Sequence, residues 1–524
     1  MPVKKYIPFF VTSLLILIAL LVIYPYYQYY IDPDSTNYLT IARRYTTHDY
    51  YRAINGVWSP WSCWFTALLM RRGADPILSA VVINTLGGLG FVYITNSFLV
   101  YFNIDLKIRW LLNLALLVFI PYAIFWQLFD DVWQAFLLLC ILRIMVKDNY
   151  SNKPLLWVAT GILAALAFFA KAYSFLFFML NIVCCGFLIT KAWQKGNRTQ
   201  WIKISVIAIG TMIICSLPWI YMIHLKYGHW MTSTVFKLNL SWNLVGHPYW
   251  KDGIKYLVPP IYPNSVCYTE DPYLVNGITP SFWNSFALFK LQIVRFVYML
   301  LILVGCMNEI TCFFIVIYLL ALGILISKKV RHLFPQKLMI VCLSFLLFPS
   351  GLIFKNAESR YIWYMLPLSM IIGAVALQQI FHYINNRWLS NIVIFVFALS
   401  YIVIPVMDLK VMFKVGQDDH KMALEIKKLH IHGSLTSNSD PGLQTQRLLR
   451  MAYFSDNSFY SMPSTDVSNK DLLSEMRRYH VNYYFYFCKQ IDCNNYLFTD
   501  EHGLPFPEIS SGRLPGLKIF EVNK

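Results

Sequence analysis

Apolar residues fill most of this chain in blocks about twenty long, separated by short polar breaks. A block of that length crosses the hydrocarbon of a bilayer as a helix. The pattern predicts membrane helices near 7–30, 77–101, 108–128, 131–147, 154–170, 173–190, 201–223, 310–327, 336–354, 361–381 and 389–408. The apolar run 293–307 reads as an interfacial or re-entrant helix. A further crossing there would carry Lys328, Lys329 and Arg331 to the opposite side from the other basic loops.

Three polar segments interrupt the pattern. In the first, 31–76, Tyr38, Ile41, Ala42 and Tyr45 recur at helical spacing, which predicts a short amphipathic helix capped by Ser35 or Asp34. Residues 59–69 are apolar but too short to span, and predict a second surface helix. The second segment, 224–292, is rich in Pro, Tyr, Trp and Asn and reads as a long loop. The third, 410–524, has helix-like stretches at 418–430 and 468–480 and a β-like run at 481–487. The expected architecture is a polytopic all-α membrane protein of about 11 transmembrane helices with a small C-terminal extracytoplasmic α/β domain. Its boundaries fall as 1–409, a transmembrane domain with large outer loops 31–76 and 224–292, and 410–524, the outer domain.

Composition agrees. Of 524 residues 57% are hydrophobic and 14% charged, whereas soluble domains carry about a quarter charged residues. The net charge of +17 therefore needs no nucleic acid to explain it, and none is expected as a partner. Basic residues gather in the predicted cytoplasmic loops: Lys107 and Arg109; Lys147 and Lys153; Lys191, Lys195, Arg198 and Lys203; Lys328, Lys329, Arg331 and Lys337; Arg387. Lys4 and Lys5 place the N-terminus on the same side. The first apolar run is too long for a cleaved signal peptide. Most of the eleven cysteines lie inside apolar runs. Cys488 and Cys493 would close a short loop if oxidised, and no Cys/His cluster has zinc spacing.

The remaining ionisable groups of interest all fall at predicted outer ends. Asp32 and Asp34 follow the first span; they suit a helix cap and turn, or a general base taking a proton from an attacking acceptor. Asp130 and Asp131 precede the fourth span, where acids complement a helix dipole, raise one another's pKa, or bind a divalent cation. Lys171 breaks two apolar spans; it would snorkel to headgroups or hold a lipid phosphate. Glu358 and Arg360 precede the tenth span, as an interfacial anchor or as a phosphate clamp oriented by the glutamate.

Taken in order, these groups resemble the GT-C superfamily of integral-membrane glycosyltransferases, which includes protein O-mannosyltransferases and the aminoarabinose transferases of lipid A. Pro33-Asp34-Ser35 looks like that family's Pro-Asp-Glu motif in the first outer loop, with Ser35 in place of the second acid and Asp32 as a substitute. Asp130 or Asp131 matches an acid opening the fourth span. Ala170-Lys171 is similar to a Thr-Lys pair, and Arg360-Tyr361 with Leu366-Pro367 resembles an Arg-Tyr…Leu-Pro motif. The resemblance covers about residues 1–408.

It implies a sugar donor on a polyprenyl phosphate or diphosphate, and a lipid, glycan or protein acceptor. Transfer would occur at the outer face of the membrane by inverting displacement. Asp34 would be the base, and Lys171 and Arg360 would stabilise the departing phosphate. No cofactor is required, while a divalent cation is compatible. The implied address is the bacterial inner membrane, with a periplasmic C-terminal domain. Two competing classes use similar groups: a transporter or flippase of a lipid-linked sugar, and a surface-polysaccharide polymerase or ligase. Transporters place ionisable or helix-breaking residues at mid-membrane, whereas here they collect at one end of the spans.

Overall fold

A computed structural model describes residues 3–245, 257–276, 280–354, 357–381, 386–438, 443–461, 467–488, 496–510 and 512–523. The chain divides into two compact units. One comprises Met1–Pro25, Ser59–Phe236 and Phe282–Val411; the other comprises Tyr26–Trp58, Lys237–Ser281 and Met412–Lys524.

The first unit is a helical bundle. Its principal helices are α1 (Ile7–Tyr27), followed after the first loop by α3 (Pro60–Met70), α4 (Pro76–Tyr101), α5 (Leu106–Trp126), α6 (Asp131–Met145), α7 (Pro154–Ala170), α8 (Tyr173–Thr190) and α9 (Arg198–Tyr227). After α10 (Val235–Val245) come α11 (Phe286–Ile310), α12 (Phe314–Ile326), α13 (Leu338–Leu347), α14 (Met365–Phe381), α15 (Arg387–Leu399) and α16 (Val403–Met412). Among the described residues seven helices are long and apolar enough to cross a membrane, and four further apolar helices are shorter. The protein is a polytopic, mostly helical membrane protein.

Small residues let these helices approach. A Cβ on Gly161 of α7 would stand 2.5 Å from the Ala208 carbonyl oxygen of α9, so the close crossing of this pair depends on glycine. Asn96 of α4 and Asn113 of α5 exchange side-chain hydrogen bonds of 2.8 and 2.9 Å in the bundle interior, satisfying amides that would be costly to leave unpaired there. The run expected as an interfacial or re-entrant helix at 293–307 is instead part of the longer α11, one of the seven helices long and apolar enough to cross, because the apolar stretch extends from Phe286 to Ile310. It meets connecting segments both midway, at Phe296–Phe354, and at its end, where Ser359 donates to Glu309.

The second unit carries α2 (Pro33–Thr46), α17 (Gln417–Lys428), α18 (Leu443–Ser455) and α19 (Asn469–Arg478) with a four-stranded sheet. The strands are β1 (Ser434–Ser437), β2 (Ser458–Phe459), β3 (Tyr483–Phe487) and β4 (Leu517–Glu521), in the order β2-β1-β3-β4. β1 runs parallel to both neighbours, with Leu435 opposite Tyr483, and β4 pairs antiparallel with β3, with Phe520 opposite Tyr484. Parallel neighbours require crossovers, and α18 and α19 supply them. One side of the sheet buries Tyr484, Phe498 and Phe520 with Leu472, Leu473 and Met476 of α19. Cys488 is disulfide-bonded; Cys493, its expected partner, lies outside the described residues.

Candidate active site

In the bundle unit, the loops between α5 and α6, α7 and α8, and α13 and α14 meet at one end. α6 begins at Asp131, and Asp130 before it adopts a left-handed backbone (φ 53°), a conformation aspartate tolerates better than most residues. Asp130 does not cap its own helix. Its Oδ1 instead accepts hydrogen bonds from the backbone N–H of Ser62 on α3, at 3.0 Å, and from the Ser62 hydroxyl. The sharp turn carries its carboxyl across to another helix. Among the described residues its Oδ2 is buried without a hydrogen-bond partner. Burial pushes this carboxyl well above the ordinary carboxylate range; the Ser62 bonds and Lys171 pull the other way, and Asp131 adds to the rise.

Asp131, equally buried, forms an ion pair with Lys171. Lys171 follows the last residue of α7 with extended backbone, so the chain turns there and its ammonium stays at the end of the bundle. The Lys171 Nζ lies 4.4 Å from the centre of the Tyr361 ring, and the Arg360 guanidinium carbon lies 5.1 Å from the same centre. Two cations therefore share one tyrosine, within cation–π range. Arg360 donates from Nε to Glu358 at 2.6 Å, and the Tyr361 hydroxyl donates to the other Glu358 oxygen at 3.0 Å. Desolvation works to raise the Glu358 carboxyl, but Arg360, the Tyr361 hydrogen bond and Lys171 together hold it below its ordinary value. The result is a chain of alternating charge, Asp131–Lys171 and Glu358–Arg360, arranged about Tyr361.

Asp32 and Asp34 belong to the second unit. The helix expected after the first span is α2, and it starts earlier than the predicted cap. Pro33 occupies its first position, where a missing N–H costs nothing. Asp32 is the cap, accepting from the Ser35 backbone N–H at 3.0 Å. Neither Ser35 nor Asp34 fills that role; Asp34 stands in the first turn, favoured by the helix dipole. Tyr38, Ile41, Ala42 and Tyr45 are all buried, as their spacing predicts.

Sequence reasoning passed over several residues that the structure ties to these groups. Ser62 sits in an apolar helix and carried no signal of its own. Tyr361 was legible only as part of the Arg-Tyr motif. In the second unit, Asn37, Arg44 and Glu270 were overlooked: Asn37 donates to Thr269 at 3.1 Å, and Arg44 is buried against Glu270. Among the described residues no group of three or more His, Cys, Asp or Glu side chains could hold a metal ion.

No family model matches the sequence, and no curated protein resembles it in sequence. Solved structures do resemble it in fold. A crystal structure of ArnT from Cupriavidus metallidurans bound to undecaprenyl phosphate superposes with a TM-score of 0.53 at 11% identity, over 97% of each chain. The apo structure of the same protein gives a TM-score of 0.50 at 11% identity, again over 97% of each chain. Over nearly its whole length, the chain has the fold of ArnT.

Proposed function

We propose that this protein is a membrane glycosyltransferase that takes a sugar from a polyprenyl-phosphate-linked donor and passes it to an acceptor at the outer face of the membrane. The observation that carries the reading is the pair of cations, Lys171 and Arg360, gathered about Tyr361 at the end of an apolar bundle. A lipid phosphate would present its charge at such an end, because its chain stays in the hydrocarbon. That the similar ArnT structure holds undecaprenyl phosphate supports the same ligand class here.

In this reading the acceptor oxygen or nitrogen attacks the anomeric carbon while the bond from that carbon to the phosphate oxygen breaks. The electron pair leaves with the phosphate, and the acceptor proton passes to Asp34. Negative charge grows on the departing oxygen, so Lys171 and Arg360 favour the transition state over the bound donor. Asp131 and Glu358 hold the two cations in place before the donor arrives, which removes the cost of ordering them during reaction. Asp32 positions Asp34 by fixing the first turn of α2. The phosphate's charge is met by side chains, so the step asks for no cofactor. By the same reading residues 1–409 are a transmembrane domain and residues 410–524 a periplasmic domain, in a bacterial inner membrane.

Thermal unfolding in detergent with undecaprenyl phosphate tests the phosphate site without an acceptor or a known sugar. A ligand that binds only the folded state raises stability in proportion to the logarithm of its concentration over Kd. The wild type should shift upward, and Lys171→Gln and Arg360→Gln should each lose most of the shift. An equal shift in all three would remove the phosphate role from these residues.

A further inference from the structure

The most heavily tied residue of the first loop is Arg44, on the last turns of α2. It is 6% exposed, yet its guanidinium makes contacts on every edge. Nε donates to Glu270 Oε1, and Nη2 donates to Glu270 Oε2 at 3.2 Å, to Ser265 Oγ at 2.8 Å and to the Pro263 carbonyl at 3.3 Å. Nη1 donates to Asp49 at 3.0 Å, and the Tyr262 ring lies 5.2 Å away. Glu270 is itself 2% exposed, and its carbonyl accepts from Asn55 Nδ2 at 2.6 Å. One residue of α2 thus holds Pro263, Ser265 and Glu270 of the strip 262–271.

A second tie lies on the same side of the helix. Asn37 donates to Thr269 Oγ1 at 3.1 Å, and Cys267 Sγ lies 3.6 Å from Asn37 Oδ1. Asn37 and Arg44 are seven residues apart, about two turns, and so share a face. Asp34, three residues before Asn37, falls on the same stripe. The strip therefore fixes the rotation of α2 about its own axis, and with it the direction in which the first-turn carboxylate leaves the helix.

A buried ion pair is weak evidence for stability, since apolar residues of similar size often serve the fold as well. A forked guanidinium is strong evidence for a defined geometry, because its five donors meet their partners in one orientation only. We propose that Arg44 and Glu270 form a positioning latch, through which strip 262–271 sets the rotation of α2 and hence the placement of Asp34. The inference rests on Asp34 acting as the base. With a side-chain tip about 5 Å from the helix axis, a rotation of about 10° moves it by about 1 Å. A displacement of that size is enough to lower a reaction rate by about 100-fold.

The test separates placement from activity. An introduced cysteine, Asn37→Cys, stands beside the native Cys267, and their oxidation to a disulfide by added diamide, which takes up the two electrons and two protons, reports α2 seated on the strip whether or not any sugar is transferred. Arg44→Met with Glu270→Leu removes the fork while filling its volume, so that the chain still folds, and Arg44→Lys keeps the charge without the fork. In full-length protein, the disulfide should form readily with Arg44 present and much more slowly in the Met/Leu pair, with Arg44→Lys between. In the same pair without Asn37→Cys, sugar transfer from a membrane polyprenyl-phosphate-sugar pool should fall about 100-fold in kcat, with KM for the lipid donor nearly unchanged.

Disulfide formation undiminished in the Met/Leu pair would overturn the latch. Slowed disulfide formation with full transfer would overturn its positioning role. If the disulfide behaves as expected but the wild type transfers no sugar, the transferase reading fails and the latch between α2 and the strip stands.

Discussion

Lys171 pairs with Asp131 and at the same time lies over the ring of Tyr361, 4.4 Å from its centre. Asp131 is buried, so removing the ammonium leaves a carboxylate with no counter-charge in a dry place. Lys171→Gln should destabilise the protein by about 3 kcal/mol, at the lower end for a broken buried pair because Lys171 keeps some contact with solvent. The double variant Lys171→Gln/Asp131→Asn should recover most of that loss in a thermal melt. It should not recover transfer, which should stay about 100-fold down if Lys171 is the proposed cation for the donor phosphate.

Asp130 predicts the opposite sign. Its carboxyl titrates well above the ordinary range, chiefly through burial. A carboxyl raised on folding contributes stability that is full below its unfolded pKa and is lost as pH rises through the folded value. Asp130→Asn keeps an acceptor for Ser62 and removes the titration. At neutral pH the variant should melt at or above wild type, and the difference should vanish or reverse near pH 4. A lower melting temperature for Asp130→Asn at every pH would contradict this.

Glu358 is held below its ordinary value once Arg360, Tyr361 and Lys171 outweigh desolvation. Its contribution is therefore present above its unfolded pKa, near 4.5, and is lost as pH falls through the lower folded value. The glutamate side chain is about half exposed, so the effect on stability is small, under about 1 kcal/mol. Glu358→Gln should flatten that acid limb in melts taken between pH 6 and pH 3. Its larger effect should be on transfer at neutral pH, since Arg360 loses the carboxylate that orients it.

Packing gives an independent check. A side chain at Gly161 would run into the Ala208 carbonyl and the Thr211 Cβ, 2.5 and 2.7 Å from an ideal Cβ. Neither neighbour is the far end of a flexible side chain, so α7 and α9 would have to separate. Gly161→Val should cost about 1–3 kcal/mol by overpacking, whereas Gly210→Ala, on α9 with open space around it, should cost almost nothing in the same melt.

How much of this was legible follows from the physics of each signal. Spans, the short helices α2 and α3, and the strand at 483–487 could be read because burial imposes a period on sequence. The cap of α2 was misplaced by a few residues because Asp32, Asp34 and Ser35 are all good caps, and only the proline between the acids decides the start. The order of ionisable groups pointed to Lys171, Glu358 and Arg360, but nothing in the sequence says that two of them share the Tyr361 ring. Ser62 and Glu270 were invisible because their partners lie 68 and 226 residues away, and a single sequence carries no trace of such pairings.

The most direct measurement of the central claim is transfer of radiolabelled sugar from a polyprenyl-phosphate-sugar pool, in membranes carrying wild type, Asp34→Asn or Asp32→Asn at equal protein level. Wild type should transfer, Asp34→Asn should not, and Asp32→Asn, which keeps a cap at the start of α2, should retain much of the activity. Equal transfer in all three, or none above empty membranes, would contradict that claim.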